Sequence, residues 1–197
     1  MSDAHPAEQH DPAVAFESAK LGVWTFLATE VLLFGALFTA YAVFRLKFPA
    51  LFHAEHEKLN RVMGAANTVV LITSSLTVVL GVDAARRGRM RLLQAYYGAT
   101  ILLAAVFLGV KYVEYGEKFH HGLYPGTNIF FSLYFMLTGL HGIHVLLGMG
   151  VLAYVLVMAR RGRYTETYRT PVEMSGLYWH FVDLVWIYLF PLLYLAG

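Results

Sequence analysis

Residues 130–158 read FFSLYFMLTGLHGIHVLLGMGVLAYVLVM, a run with no Asp, Glu, Lys or Arg. At 1.5 Å of rise per residue it outspans a hydrocarbon layer about 30 Å thick, which roughly 20 helical residues cross. So long an uncharged stretch is built for lipid. Four further stretches meet the same test: Leu21–Phe44, Val62–Val82, Ala95–Glu114 and Gly176–Gly197. None alternates with period two, so backbone N–H and C=O groups in lipid must be satisfied within helices, not in a closed barrel. The expected fold class is all-α, an integral membrane bundle of five transmembrane helices. The domain division is a polar segment over 1–20 and a five-helix membrane domain over 21–197.

Composition supports this. Of 197 residues 58% are hydrophobic and only 14% are charged, against about a quarter in soluble domains. A net charge of +2 argues neither for nor against nucleic acid, since a basic footprint needs clustered Lys and Arg on a solvated face, and no nucleic-acid partner is expected. The absence of cysteine removes disulfides, zinc–thiolate sites and Cys-ligated iron–sulfur clusters. The opening MSDAHPAEQHDPAVAFESAK carries four carboxylates and no basic start before an apolar core, which is not the pattern of a signal peptide.

Loop charges orient the bundle, since Lys and Arg accumulate on the cytoplasmic side. Lys20, Arg86, Arg87, Arg89, Arg91, Arg160, Arg161, Arg163 and Arg169 fall on one side; Arg45, Lys47, Lys58, Arg61 and Lys118 fall on the other. Nine against five puts the N-terminus in the cytoplasm and the C-terminus in the periplasm, although the first loop pulls the opposite way. Trp24 and Trp179 fit interfacial anchors and helix packing equally.

Ionisable groups at membrane depth cost about 2.5–3.5 kcal/mol each on insertion scales, so they face protein or a wet cavity. Glu30 lies roughly 13 Å from the inner end of the first span and Asp183 roughly 10 Å from that of the fifth, close enough in depth to share a layer. Glu30 is a carboxyl that can be protonated and hydrogen-bonded, relay protons, or face a lipid head group. His180 and Asp183, three apart, share a helix face and form an orienting pair. Lys111 and Glu114 have the same spacing.

His141 and His144 stand mid-span in TGLHGIHVLLG. Bis-histidine haem needs ligands on facing helices at one depth, and no HExxH or Cys offers a further donor set. The expectation is no catalytic residue and no metal: these histidines join an interhelical polar network beside Gly139, Gly142 and Gly148, small enough to let helices approach. Asn67, Thr68, Ser74 and Ser75 read as interhelical glue. Arg86, Arg87, Arg160 and Arg161 are candidates for anionic lipid head groups.

Several motifs together resemble one family. YWHFVDLVWIYLFPLLYL, preceded by Glu173 in VEMSGLYWHF, is similar to the last helix of cytochrome c oxidase subunit III. TGLHGIHVLLG resembles its penultimate helix, and NTVVLITSSLT and KYVEY resemble the two before that. FLATEVLLFGALFTAY resembles the helix with that family's membrane-buried, carbodiimide-reactive glutamate, which falls on Glu30. The match runs through all five spans in order.

The resemblance implies a non-catalytic core subunit of a haem–copper terminal oxidase in aerobic respiration, multi-pass in the bacterial cytoplasmic membrane. It implies that this chain binds phospholipid but no cofactor, with haem and copper in partner subunits. Subunit I would be the direct partner, with subunit II and small subunits nearby and cytochrome c or quinol as donor to the complex. Glu30 would support proton uptake and turnover stability, and Glu173 would join the interhelical network. Two departures stand out: longer members have seven helices where this chain has five, and they commonly carry Gln where this chain has Lys111. Rival readings are an accessory subunit of a nitric oxide reductase and an independent proton or cation transporter using Glu30 and Asp183.

Overall fold

The computed structural model describes residues 12–164 and 170–195. Among them there are six α-helices and no strand: α1 (Pro12–Lys47), α2 (Pro49–His56), α3 (Arg61–Arg86), α4 (Met90–His120), α5 (Ile129–Arg160) and α6 (Thr170–Phe190). Five of these are long and apolar enough to cross a membrane. Arg169 and the last two residues of the expected fifth span lie outside the described residues.

Three boundaries differ from the expectation. Of the expected polar segment over 1–20, residues 1–11 lie outside the described residues and residues 12–20 are helical within α1. The first connection holds a helix of its own, because Pro49 cannot continue α1 yet starts α2 at its first position. The last span changes character at Pro191, which has no N–H to donate; residues Pro191–Leu195 form a wider π turn.

Local chemistry sets the other ends. Asn60 caps α3 by accepting from the Met63 N–H at 3.1 Å, and Asn128 caps α5 by accepting from Phe131 at 3.0 Å. Gly88 closes α3 at φ 69°, a left-handed turn in which the Arg89 N–H reaches back to the Ala84 carbonyl at 2.8 Å.

The long helices pack around α6 and α3. α3 runs along α4, α6 lies between α3 and α5, and α4 packs on α5, while α1 leans on α5 and α6 from the periphery. A core of Leu71, Val78, Phe107, Tyr134, Trp179 and Trp186 fills the centre. The outward faces are apolar too: Leu32 is 73% and Tyr112 82% exposed. Such a surface is soluble in lipid and not in water.

Close approach is local. A Cβ on Gly148 would stand 2.9 Å from the Trp179 ring, so α5 and α6 meet there through the missing side chain. Gly142 has no neighbour within 4 Å of that position and Gly139 only the Tyr115 hydroxyl at 3.9 Å, so neither belongs to a seam. Trp179 is a packing residue, fully buried with Nε1 donating to Ser74 Oγ at 3.1 Å, whereas Trp24 is half exposed.

Candidate functional site

The buried carboxyl of α1 finds its partner on α5. Glu30 Oε2 lies 2.8 Å from His144 Nε2, and both side chains are largely shielded. His144 Nδ1 lies 2.8 Å from the Leu140 carbonyl oxygen, which can only accept, so Nδ1 carries a hydrogen. The short contact on the other side then needs one proton, held either by the carboxyl or by Nε2. Carboxylate facing a bare ring nitrogen would set two lone pairs against each other. The Phe34 ring packs edge-on against the imidazole at 5.2 Å, and Tyr178 donates to the His144 carbonyl at 3.2 Å. The result is a one-proton pair joining a peripheral helix to the bundle.

His141, one turn earlier, looks elsewhere. A spacing of three rotates it about 60° around α5, into Phe107 of α4 and Trp186 of α6, with ring centroids 5.6 Å and 5.2 Å away. Neither of its ring nitrogens reaches a hydrogen-bond partner among the described residues. The two histidines therefore serve different interfaces.

Asp183 and Glu30 do not form one site. Asp183 lies beside Ser75 of α3, whose hydroxyl is 2.7 Å from His180 Nδ1, while Asp183 Oδ1 reaches no hydrogen-bond partner among the described residues. Ser75 thus relates the two residues that share a face of α6. Other α3 polar groups bridge helices: Thr68 accepts from Trp186 Nε1 at 3.0 Å, and Asn67 donates to the Phe107 carbonyl at 3.3 Å.

A denser polar cluster lies near the far end of α4. Lys111 Nζ contacts Glu114 Oε2 at 2.8 Å and Tyr194 Oη at 2.7 Å, and it sits 4.8 Å above the Trp186 ring. Glu114 Oε1 accepts from Tyr134 at 2.8 Å and from Tyr194 at 2.6 Å, with Lys118 Nζ 3.5 Å away. One carboxylate therefore serves two ammonium groups and two phenols. Sequence spacing gives the Lys111–Glu114 pair; the tyrosines come from α5 and from the π turn, far along the chain.

At the arginine-rich end, Arg86 Nε bonds Glu173 Oε1 at 3.0 Å, tying α3 to the first turn of α6. Arg87 bonds Asp83 at 2.8 Å. Two of the four lipid candidates thus have carboxylate partners, while Arg160 and Arg161 are exposed at the end of α5. Among the described residues no three His, Cys, Asp or Glu side chains converge as metal ligands.

The model of the family described as Cytochrome c oxidase subunit III matches residues 1–197. A cytochrome c oxidase subunit 3 from Synechocystis is 37% identical over 96% of this chain and 81% of that protein. One from Thermostichus vulcanus is 37% identical over 89% of this chain and 86% of its own length. A quinol oxidase subunit 3 from Bacillus subtilis is 34% identical over 90% and 86%.

Proposed function

The chain belongs to the cytochrome c oxidase subunit III family, and on that premise we propose that it is a non-catalytic subunit whose Glu30–His144 pair supports proton uptake and turnover stability. Membership makes it a subunit of a multi-subunit haem–copper oxidase. In this reading the chain packs on subunit I, near subunit II and small subunits, in the bacterial cytoplasmic membrane with its N-terminus inside. Haem and copper stay with the partners. Cytochrome c or quinol feeds the complex, since relatives of both names match this chain at similar identity.

The observation that carries the reading is the 2.8 Å contact between Glu30 and His144. A carboxyl and an imidazole that share one proton put a proton-holding contact inside the span. Glu30 sits on α1, the helix least wrapped by the rest of the bundle, where a larger subunit can reach it. Phospholipid belongs at the cytoplasmic rim, where Arg160 and Arg161 can reach head-group phosphates.

The test is to purify the complex with Glu30→Gln and with His144→Gln and follow oxygen consumption, proton uptake and the carboxyl C=O stretch in infrared difference spectra. The expected outcome is slower proton uptake, a shorter active lifetime and loss of the Glu30 carboxyl or carboxylate band in Glu30→Gln. Wild-type uptake and lifetime in both variants would remove the role. Reduced-minus-oxidised spectra should find haem with the intact complex and none with the separated chain.

A further inference from the structure

Three polar side chains at mid-membrane depth have no part in the Glu30–His144 pair or the Glu114 cluster. His180 and Asp183 lie near the middle of the span Thr170–Leu195, and Ser75 near the middle of Arg61–Arg86. The Ser75 hydroxyl, 2.7 Å from His180 Nδ1, has one hydrogen to give. Given to Nδ1, it would leave the buried Asp183 carboxyl facing no donor among the described residues, and an unsatisfied buried acceptor is costly. The arrangement that satisfies more groups runs the other way. His180 Nδ1–H donates to Ser75, and Ser75 turns its hydrogen toward the Asp183 carboxyl beside it. Nε2, on the far side of the ring from Nδ1, then has no partner among the described residues. The ring is only part-buried and Nε2 is not an enclosed atom, so it opens onto the outer surface where α3 and α6 meet.

The surface around that nitrogen is apolar. Ile72 and Val79, three before and four after Ser75, are exposed, and so is Leu184, four after His180. Lipid tails cover such side chains but offer a ring nitrogen neither donor nor acceptor, so a polar group at this depth faces protein or a wet cavity. A metal ion does not fit, since among the described residues no three His, Cys, Asp or Glu side chains converge. We propose that the α3/α6 face seats a transmembrane helix of a neighbouring subunit, and that a hydroxyl or amide side chain of that helix (Ser, Thr, Asn or Gln) bonds His180 Nε2. Such a side chain donates to a neutral ring and accepts from a protonated one, so it satisfies Nε2 in either state. One polar contact in an apolar groove also fixes the depth and rotation of the arriving helix, because any slip leaves Nε2 unpaired. The proposal rests on membership of a multi-subunit oxidase and makes no use of the Glu30–His144 contact.

The test puts the photo-cross-linking residue benzoylphenylalanine at Leu184 or, as a control, at Leu102, an exposed residue of α4. Native membranes are irradiated, the complex is purified through a tag on this chain, and the linked peptides are identified by mass spectrometry. Leu184 should link to a transmembrane segment of a partner subunit and Leu102 to lipid. Links to protein no stronger from Leu184 than from Leu102 would overturn the proposal, while co-purified haem would show the subunit reading intact. A chain that purifies with no partner subunit would overturn both. The hydrogen bond is read from the rate at which detergent releases this chain from the purified complex. Release should be about three- to tenfold faster in His180→Leu and near wild type in His180→Gln, whose amide still donates and accepts. Ser75→Ala, which removes the inner contact and keeps Nε2, should release more slowly than His180→Leu. Wild-type release in His180→Leu would overturn the contact, as would equal release in Ser75→Ala, which would place the effect inside this chain. Where His180→Leu fails to assemble, the Leu184 cross-link decides.

Discussion

His144 of α5 holds Glu30 of α1 at 2.8 Å through a single proton, with its other ring nitrogen committed to the Leu140 carbonyl. This is the strongest polar tie between the peripheral helix and the bundle. Glu30→Ala leaves Nε2 without a partner in a largely buried place and should cost about 1–3 kcal/mol. His144→Ala should cost a similar amount for the carboxyl. Thermal unfolding of the complex in a double-mutant cycle should give a coupling of about 0.5–3 kcal/mol; simple additivity would mean that the two residues act separately.

The cluster around Glu114 predicts an asymmetry. Removing Lys111 as Lys111→Met leaves Glu114 with Lys118 and two phenols, so the carboxylate remains compensated. Glu114→Ala instead strands two buried ammonium groups, a loss on the order of 3–5 kcal/mol. Stability of the assembled complex should fall much further for Glu114→Ala than for Lys111→Met. Equal losses would mean that the pair, not the cluster, is the stabilising unit.

Gly148 and Gly142 offer a paired test on one helix. Gly148→Leu drives a side chain into the Trp179 ring, which Ser74 fixes through its indole nitrogen, and overpacking of this kind costs about 1–3 kcal/mol. Gly142→Ala meets open space and should leave stability unchanged or slightly raised. A detergent-denaturation series on the two variants checks the contrast.

His56 on α2, outside the spans, gives a pH dependence. Burial holds its imidazole below the ordinary 6.5, the Tyr194 backbone pulls it up in part, and the nearby cations push it down again. The folded state therefore resists a proton that the unfolded chain accepts. The contribution is intact above about 6.5 and is lost as the pH falls from there toward the lower folded value. His56→Leu should flatten the acid side of a melting-temperature profile and leave the alkaline side alone. An unchanged acid slope would exclude His56 as its source.

By itself the sequence determined how many times the chain crosses lipid and what kind of element does it, because hydropathy and backbone satisfaction in lipid act within each segment. It also determined pairs one turn apart, such as Lys111 and Glu114, and the motifs that carry the family. Tertiary structure alone decided the partners. Glu30 met His144 and not Asp183, His141 and His144 parted into different interfaces, and Ser75 came to stand with both His180 and Asp183. Tyr194 returned from the end of the chain to Glu114, and of four glycines on α5 only Gly148 made a close approach. Periodicity says which residues share a face of one helix. The rotation of each helix about its own axis and its depth against its neighbours arise from packing among helices distant in sequence, and those two quantities decide which buried polar groups touch.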